Sequence, residues 1–162
     1  MILLAIDPGI TGALAFYYPT NNRVALHDMP IVDGDVNPHE LWRCIKMYEP
    51  DFTVLEQVSP MPKEGVSSVW RFAAAYTTAR IVVTLLKIPM TLVRPSTWKK
   101  QMNLAGGKEG KEQCRSLAIR TFPEQAHEFA RKKDHGRSDA AMLAVYASQK
   151  LIHGALKGTQ AQ

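Results

Sequence analysis

Residues 1–14 read MILLAIDPGITGAL, an apolar run that ends in an acid and a Pro-Gly turn. Its first six residues are continuously apolar, which is typical of a strand buried on both faces near the middle of a sheet. Asp7 ends that strand, where a carboxylate is costly unless a partner compensates its charge. The Pro-Gly pair that follows also suits an ordinary type II turn between antiparallel strands. The stretch predicts a central strand that carries an acid to the rim of the sheet.

The segments that follow predict an α/β domain with a mixed central sheet. Residues 13–18 and 23–29 are strand-like and complete a three-stranded antiparallel meander with the first strand. Two more strands, at 51–58 and 90–95, alternate with helical patterns further along the chain. Helices are predicted near residues 37–48, 67–87, 112–121 and 135–151, with a short helix around Trp98.

Length and composition predict one globular domain over residues 1–155, with 156–162 as a flexible tail. Two cysteines fit neither a disulfide framework nor a paired metal motif, so a reducing compartment is expected. The apolar N-terminal run is too short to span a bilayer, and no basic segment of a signal peptide precedes it. We therefore expect a cytoplasmic protein without membrane association, in a bacterial cell or a phage-infected host.

The charge is unevenly distributed along the chain. The net charge is +5 overall, and the segment from Arg94 to Arg137 alone carries +6, which leaves −1 for the remainder. A basic segment beside a group of acids suits a polyanion held electrostatically. The alternative is a solvated helical face without a binding role.

A second acidic point lies in the strand predicted at 51–58. Strand residues alternate between faces, so Glu56 shares a side with Phe52 and Val54 and ends an apolar face. Glu56 therefore either binds a partner, such as a metal ion, or marks the point where the strand reaches solvent.

The third acidic point lies in KKDHGRSDAAMLA (132–144), at the start of the last predicted helix. If the helix already includes His135, then His135 and Asp139 lie about 40° apart and face one site. Asp134 is then a helix cap or a first-turn acid. If the helix begins later, Asp134 instead of His135 reaches the site together with Asp139. Carboxylates brought together from distant segments hold Mg²⁺ or Mn²⁺ against a phosphate, so the pattern predicts metal-dependent phosphodiester chemistry.

Two loops carry candidates for nucleic-acid contact. LAGGKEGK (104–111) departs from the nucleotide-binding P-loop pattern and is interpreted as a flexible basic loop, with Lys108 and Lys111 as phosphate contacts. In the loop after Glu56, Met61 is a candidate to wedge between bases. Trp70 is predicted to pack in the core instead.

The motifs AIDPGITG (5–12), LEQV (55–58) and DHGRSDAAMLA (134–144) resemble, in order and spacing, those of the RuvC family of Holliday junction resolvases. The resemblance spans nearly the whole chain. It implies a ribonuclease H-like fold with strand order 3-2-1-4-5 and a homodimer acting on four-way or branched DNA. It also implies paired nicking with two Mg²⁺ or Mn²⁺ ions per site, which leaves 5′-phosphate and 3′-hydroxyl ends.

The resemblance assigns roles to individual residues. The metal ligands it implies are Asp7, Glu56, His135 and Asp139, with Asp134 as an alternate. PSTWKKQM (95–102) and GGKEGKEQ (106–113) resemble the family's basic segments, so Lys100 and Lys111 correspond to its phosphate-contacting lysines, and Lys111 is the better match. The full set of expected DNA contacts is Lys99, Lys100, Lys108, Lys111, Arg137 and Met61.

The chain departs from the bacterial pattern at two points. His135 precedes Asp139 by four residues, whereas three are usual, which keeps Asp134 as a competing ligand. Ser59 stands where bacterial members place an aromatic wedge. Two alternatives stay open, namely a broader nuclease of the same fold that acts on branched DNA, RNA or RNA–DNA hybrids, and an inert junction-binding module.

Overall fold

The computed structural model describes residues 1–57, 59, 65–131, 135–152 and 154. Asp134, Met61 and the predicted tail 156–162 lie outside these residues. The strands are β1 (Leu3–Asp7), β2 (Ala13–Tyr18), β3 (Arg23–Asp28), β4 (Ile31–Val32), β5 (Asp35–Val36), β6 (Phe52–Glu56) and β7 (Met90–Val93). The helices are α1 (Pro38–Tyr48), α2 (Val66–Leu85), α3 (Pro95–Gln101), α4 (Gly107–Thr121) and α5 (His135–Ile152), with a 3-10 helix at Pro123–Phe129.

The main sheet has five strands in the order β3-β2-β1-β6-β7. Strands β1, β2 and β3 form the predicted antiparallel meander, and β6 and β7 run parallel to β1. This confirms the predicted mixed sheet of order 3-2-1-4-5, because β6 and β7 are its fourth and fifth strands. The small β4–β5 hairpin was not predicted. It turns at Asp33 and Gly34, which have φ of 52° and 86°, as the short turns of β-hairpins require.

Strand β1 is central in the sheet, and its side chains pack into two separate hydrophobic cores, one on each face. Leu3 and Ala5 point to the face covered by α5, whereas Leu4 and Ile6 point to the face covered by α1 and α2. All four side chains are fully buried, and each of the larger ones contributes roughly 1.5–3 kcal/mol relative to exposure. The continuously apolar run at the N-terminus is therefore explained by a strand covered on both faces.

Helix α5 approaches the turn after β1 unusually closely, because glycines face each other there. A Cβ on Gly136 would lie 2.4 Å from the carbonyl oxygen of Thr11 and 2.8 Å from Cα of Gly12. A Cβ on Gly12 would in turn lie 2.1 Å from the carbonyl oxygen of Asp7. These contacts bring the first turn of α5 against the end of β1.

Helix α4 begins earlier than predicted. It starts at Gly107, whose φ of 65° suits glycine, so Lys108 and Lys111 lie on a helix and not in a flexible loop. Gly110 makes this start possible, since a Cβ there would lie 1.9 Å from the carbonyl oxygen of Ala105. The two lysines are consequently held on a defined backbone.

Strand β3 is an edge strand, and a side chain covers part of its open edge. The side-chain amide of Gln125 accepts a hydrogen bond from the Val24 N–H at 3.0 Å and donates one to the Val24 carbonyl. Among the described residues, no helix is both long and apolar enough to cross a membrane.

Candidate active site

Two of the predicted acids lie at the same rim of the sheet. Strands β1 and β6 are adjacent and parallel, with Ile6 opposite Leu55. Asp7 and Glu56 are the next residues, so they lie side by side at the C-terminal ends of these strands. Asp7 lies on the face of Leu3 and Ala5, the face that α5 covers. Glu56 is buried and lies on that face as well, so the strand does not emerge into solvent at this point.

The pKa of Asp7 shows that it lies among other acids. Burial, and then the charges of Glu56 and Asp139, raise this pKa from 3.8 to about 7. The Gly9 N–H, 3.5 Å from Oδ1, and the ammonium of Lys99 only partly offset these effects. A carboxyl group held in this way binds either a proton or a cation when its neighbours are ionised.

Glu56 receives a hydrogen bond from a buried tryptophan. The indole N–H of Trp98, a fully buried residue of α3, donates to Oε1 at 2.8 Å. Burial raises the pKa of Glu56, the Trp98 hydrogen bond and Lys99 lower it, and Asp139 raises it. Trp98 therefore holds one of the two carboxylate oxygens of Glu56.

Asp139 is buried in the first turns of α5 and pairs with a lysine of α3. The ammonium of Lys99 lies 2.8 Å from Oδ2 of Asp139, and the two side chains are only 24% and 12% exposed. Lys99 also lies 5.1 Å from the ring centroid of Trp98. Consecutive residues of α3 thus contact two of the acids, although Lys99 was expected to contact DNA phosphate.

Two buried polar atoms of α5 have no hydrogen-bond partner within the described part of the chain. They are Oδ1 of Asp139 and Nδ1 of His135. Helix α5 includes His135, so both side chains lie on the same helical face, as the four-residue spacing predicts. Buried groups without a partner are rare in folded proteins, and both are common ligand atoms for divalent cations.

The chemistry of these side chains suits divalent metal ions. The charges of Glu56 and Asp139 act on Asp7, one oxygen of Asp139 has no partner, and His135 adds an imidazole nitrogen one helical turn away. In residues 1–57, 59, 65–131, 135–152 and 154, however, no three His, Cys, Asp or Glu side chains are already arranged to hold a metal ion. Trp98 and Lys99 of α3 contact two of the carboxylates instead.

The predicted DNA contacts fall into two groups. Lys100, Lys108 and Lys111 are exposed on α3 and α4. Arg137, in contrast, is mostly buried, because its guanidinium binds both oxygens of Asp28 at 2.6 and 3.0 Å and Glu128 at 2.7 Å. It ties the start of α5 to the end of β3. Met61 and Asp134 lie outside the described residues.

The parts of the molecule that hold the acids in place were not predicted. No contact was expected for Trp98, and the close approach at Gly12 and Gly136 is not evident from the sequence. The PSTWKK segment (95–100) contained one signal, namely a tryptophan next to a lysine in a short predicted helix. Trp70 was predicted to lie in the core, and that prediction is wrong, since its side chain is 76% exposed.

A mixed five-stranded sheet of this strand order, flanked by helices, is the α/β architecture of the ribonuclease H-like fold. No protein-family model matches the chain, and neither does any curated protein. Solved structures do match. Thermus thermophilus RuvC in complex with a Holliday junction substrate aligns with a TM-score of 0.66 at 14% identity, covering 98% of this chain and 99% of that chain.

Other similar structures belong to the same class of protein. The fowlpox virus Holliday junction resolvase has a TM-score of 0.55 at 16% identity, covering 91% of this chain and 99% of that chain. The yeast mitochondrial Holliday junction resolvase Ydc2 has a TM-score of 0.52 at 14% identity, with 94% and 82% covered. The fold of this chain is that of RuvC-like resolvases.

Proposed function

We propose that this protein is a metal-dependent endonuclease that resolves four-way DNA junctions by paired, symmetric nicks. The observation that carries the proposal is the meeting of Asp7, Glu56 and Asp139 at one rim of a RuvC-like sheet. Buried acids that raise one another's pKa are unfavourable for stability alone, which favours a functional reason for keeping them. The junction bound by the Thermus thermophilus protein supports the choice of substrate.

The residues proposed to hold Mg²⁺ or Mn²⁺, two ions per site, are Asp7, Glu56, Asp139 and His135. When bound, divalent ions of this kind activate a water molecule and stabilise the leaving oxygen in phosphodiester hydrolysis. Asp7 is central to the set, since the charges of both other acids act on it. Asp139 Oδ1 and His135 Nδ1, which have no described hydrogen-bond partner, are proposed as metal-ligand atoms.

The chain's own side chains position and stabilise the substrate. Lys111 lies exposed in the first turns of α4 and is proposed to neutralise charge on the reacting phosphate. Lys100 and Lys108 extend the positive surface along the DNA backbone. Trp98 holds Glu56, and Lys99 compensates Asp139 until the site is filled. The expected products carry 5′-phosphate and 3′-hydroxyl ends.

The substrate is two-fold symmetric, so we propose that the protein acts as a homodimer with one site for each of two opposed strands. A dimer makes the two nicks in one encounter, before the junction separates. A monomer would release singly nicked junctions as its main product.

The decisive experiment compares cleavage of a four-way junction with cleavage of linear duplex, flap and RNA–DNA hybrid in Mg²⁺ and in Mn²⁺. We expect paired nicks in the junction at a rate at least tenfold above the others, and tight junction binding without cleavage for Asp7→Asn. Equal rates on all substrates favour a broader nuclease of the same fold. Junction binding without cleavage in either metal favours an inert binding module.

A further inference from the structure

Helix α4 places a cysteine beside the acid of α5. Cys114 lies on the inner face of α4, and its side chain is fully buried. The core around it includes Trp98 of α3 and Ala140, which follows Asp139 on α5. Helices α3, α4 and α5 therefore pack together next to the candidate active site.

The Cys114 thiol interacts with polar groups of α5. Burial, the charge of Asp139 and a side-chain hydrogen bond with Asp139 raise the pKa of this thiol, while the charge of Lys99 and a hydrogen bond with Ser138 lower it. The net effect is a rise, so the sulfur keeps its proton. A buried cysteine usually acts as a small apolar side chain, and the contact with a buried carboxylate sets Cys114 apart.

The thiol proton has two acceptors in reach, and the carboxylate is the stronger one. The hydroxyl of Ser138 already donates its proton to the backbone carbonyl of His135 at 2.9 Å, so it offers the thiol only an acceptor oxygen. The other acceptor is Asp139, and a charged carboxylate accepts a stronger hydrogen bond than a neutral hydroxyl does. The S–H group of Cys114 therefore donates to Asp139.

The two partners of Asp139 differ in how they respond to a bound cation. Oδ1 of Asp139 has no hydrogen-bond partner in the described part of the chain, and Oδ2 accepts from Lys99 at 2.8 Å. The hydrogen bond from the thiol therefore also falls on Oδ2. A divalent cation beside this carboxylate repels the ammonium of Lys99, whereas the neutral thiol of Cys114 keeps its hydrogen bond.

We propose that Cys114 is a positioning residue, whose S–H group orients the carboxylate of Asp139 for a divalent cation. This role rests on the proposed function and deepens it. It parallels the contact at Glu56, where the neutral indole N–H of Trp98 holds one carboxylate oxygen. Loss of a hydrogen bond to a ligating group commonly lowers metal affinity by about tenfold or more, and a thiol, as a weak donor, should contribute less.

The first test observes the S–H group directly and requires no metal. The infrared S–H stretching band lies where other protein groups absorb little, and hydrogen bonding shifts it to lower frequency. The chain has two cysteines, so Cys44→Ala leaves Cys114 as its single thiol. We expect this band to move to higher frequency when Asp139→Asn is added, because an amide oxygen is a weaker acceptor than a carboxylate. An unchanged band overturns the contact.

The second test measures Mn²⁺ binding to the full-length protein without DNA, by isothermal titration calorimetry. Valine at position 114 fills the core without a donor, whereas serine keeps a donor on the same Cβ. We expect the Mn²⁺ affinity to fall about fivefold in Cys114→Val and to stay within about twofold of wild type in Cys114→Ser. Cys44→Val and Cys44→Ser are the matched controls, since Cys44 is partly buried against the other core.

Packing alone predicts the opposite order of the two variants. A hydroxyl in an apolar core is costlier than a methyl group, so urea denaturation in EDTA should find Cys114→Val at least as stable as Cys114→Ser. A Mn²⁺ affinity that is higher for serine than for valine therefore cannot come from packing. The half-saturating Mn²⁺ concentration for junction nicking should rise by the same factor as the dissociation constant.

The outcomes separate the role of Cys114 from the proposed nuclease activity. A wild-type protein that binds no Mn²⁺, or whose affinity is unchanged by Asp139→Asn, overturns both the metal site and this role. Equal Mn²⁺ affinity of Cys114→Val and wild type overturns the role alone. An affinity that is lower for serine than for valine makes Cys114 a packing residue and also overturns it. Nicking is scored separately, so metal binding without cleavage leaves the role of Cys114 standing.

Discussion

Lys99 of α3 and Asp139 of α5 form an ion pair of 2.8 Å, and both side chains are largely buried. Lys99 was expected to contact DNA, yet its ammonium is directed towards the acids. It provides a positive charge for a carboxylate whose second oxygen has no described partner. The basic segment of the sequence therefore supplies both an internal counter-ion and an exposed surface.

Removing that counter-ion should destabilise the metal-free protein. Lys99→Met leaves Asp139 buried without its positive partner, so we expect a loss of about 2 kcal/mol in the free energy of unfolding. Urea denaturation in EDTA measures it. Lys100→Met is the control, because Lys100 is exposed. An equal loss in the two variants would contradict a special role for Lys99.

Trp98→Phe should separate the hydrogen bond to Glu56 from the packing of the ring. We expect the free energy of unfolding to fall by about 1–3 kcal/mol, since a buried donor is lost and a smaller ring fills its place. Without the indole N–H the pKa of Glu56 should rise, so cleavage should require a higher pH. Tyr17→Phe, which removes the 3.1 Å hydrogen bond to Asn22, is the control. A pH–rate profile unchanged from wild type would argue against a role for Trp98 at Glu56.

Asp7 should make the stability of the metal-free protein depend on pH. Its pKa is about 7 in the folded protein and 3.8 as an ordinary carboxyl group. Between those values the folded state holds a proton that the unfolded chain has released, so the contribution of Asp7 to stability decreases as pH rises from about 4 to 7. Above pH 7 the contribution is level.

Asp7→Asn should therefore be more stable than wild type at pH 8 in EDTA, and the difference should shrink near pH 4.5. Urea midpoints at both pH values measure this. Asp33→Asn, at an exposed hairpin turn, is the control. A difference that stays constant with pH would mean that Asp7 is not protonated in the folded state.

Gly136→Ala should disturb the site without touching an acid. The added methyl group would meet the backbone at Thr11 and Gly12, so α5 must shift away from β1. We expect a loss of at least about 2 kcal/mol in stability and at least a tenfold slower cleavage. Gly65→Ala is the control, as its Cβ would meet no atom within 4 Å. Wild-type cleavage by Gly136→Ala would show that the position of α5 tolerates movement.

Arg137 and Lys111 should respond differently to salt. Lys111→Gln should lower the slope of log junction affinity against log salt by about 1, because one phosphate contact is lost. Arg137→Gln should leave that slope unchanged and lower stability by about 1–2 kcal/mol, because it breaks the ion pairs with Asp28 and Glu128. Binding isotherms at several salt concentrations measure both. A reduced slope for Arg137→Gln would restore its predicted role in DNA contact.

The sheet and the positions of the acids were predictable because they depend on local patterns. A continuously apolar strand ending in Asp7, and the face shared by Glu56 and Val54, follow from a period of two residues. The four-residue step from His135 to Asp139 follows from the helical period. The order of the strands in the sheet was predicted from the family resemblance, since no local pattern specifies which strands are neighbours.

The remaining features depend on tertiary placement. Trp98 contacts Glu56 across 42 residues of chain, and Lys99 contacts Asp139 across 40. A seven-residue helix carries too little periodicity to predict where either side chain points. Trp70 was placed in the core because large aromatic residues are usually buried. On α2 the core side is already filled by residues such as Ala79 and Val83, so the indole lies outside.

The covered edge of β3 limits how this protein can join to others. An open edge strand invites another chain to add to the sheet by backbone pairing. Here the side-chain amide of Gln125 occupies both backbone groups of Val24 near the start of β3. A foreign strand that added along this edge would have to displace that side chain. Gln125 thereby opposes growth of the sheet past β3 into an intermolecular sheet, a common route to aggregation.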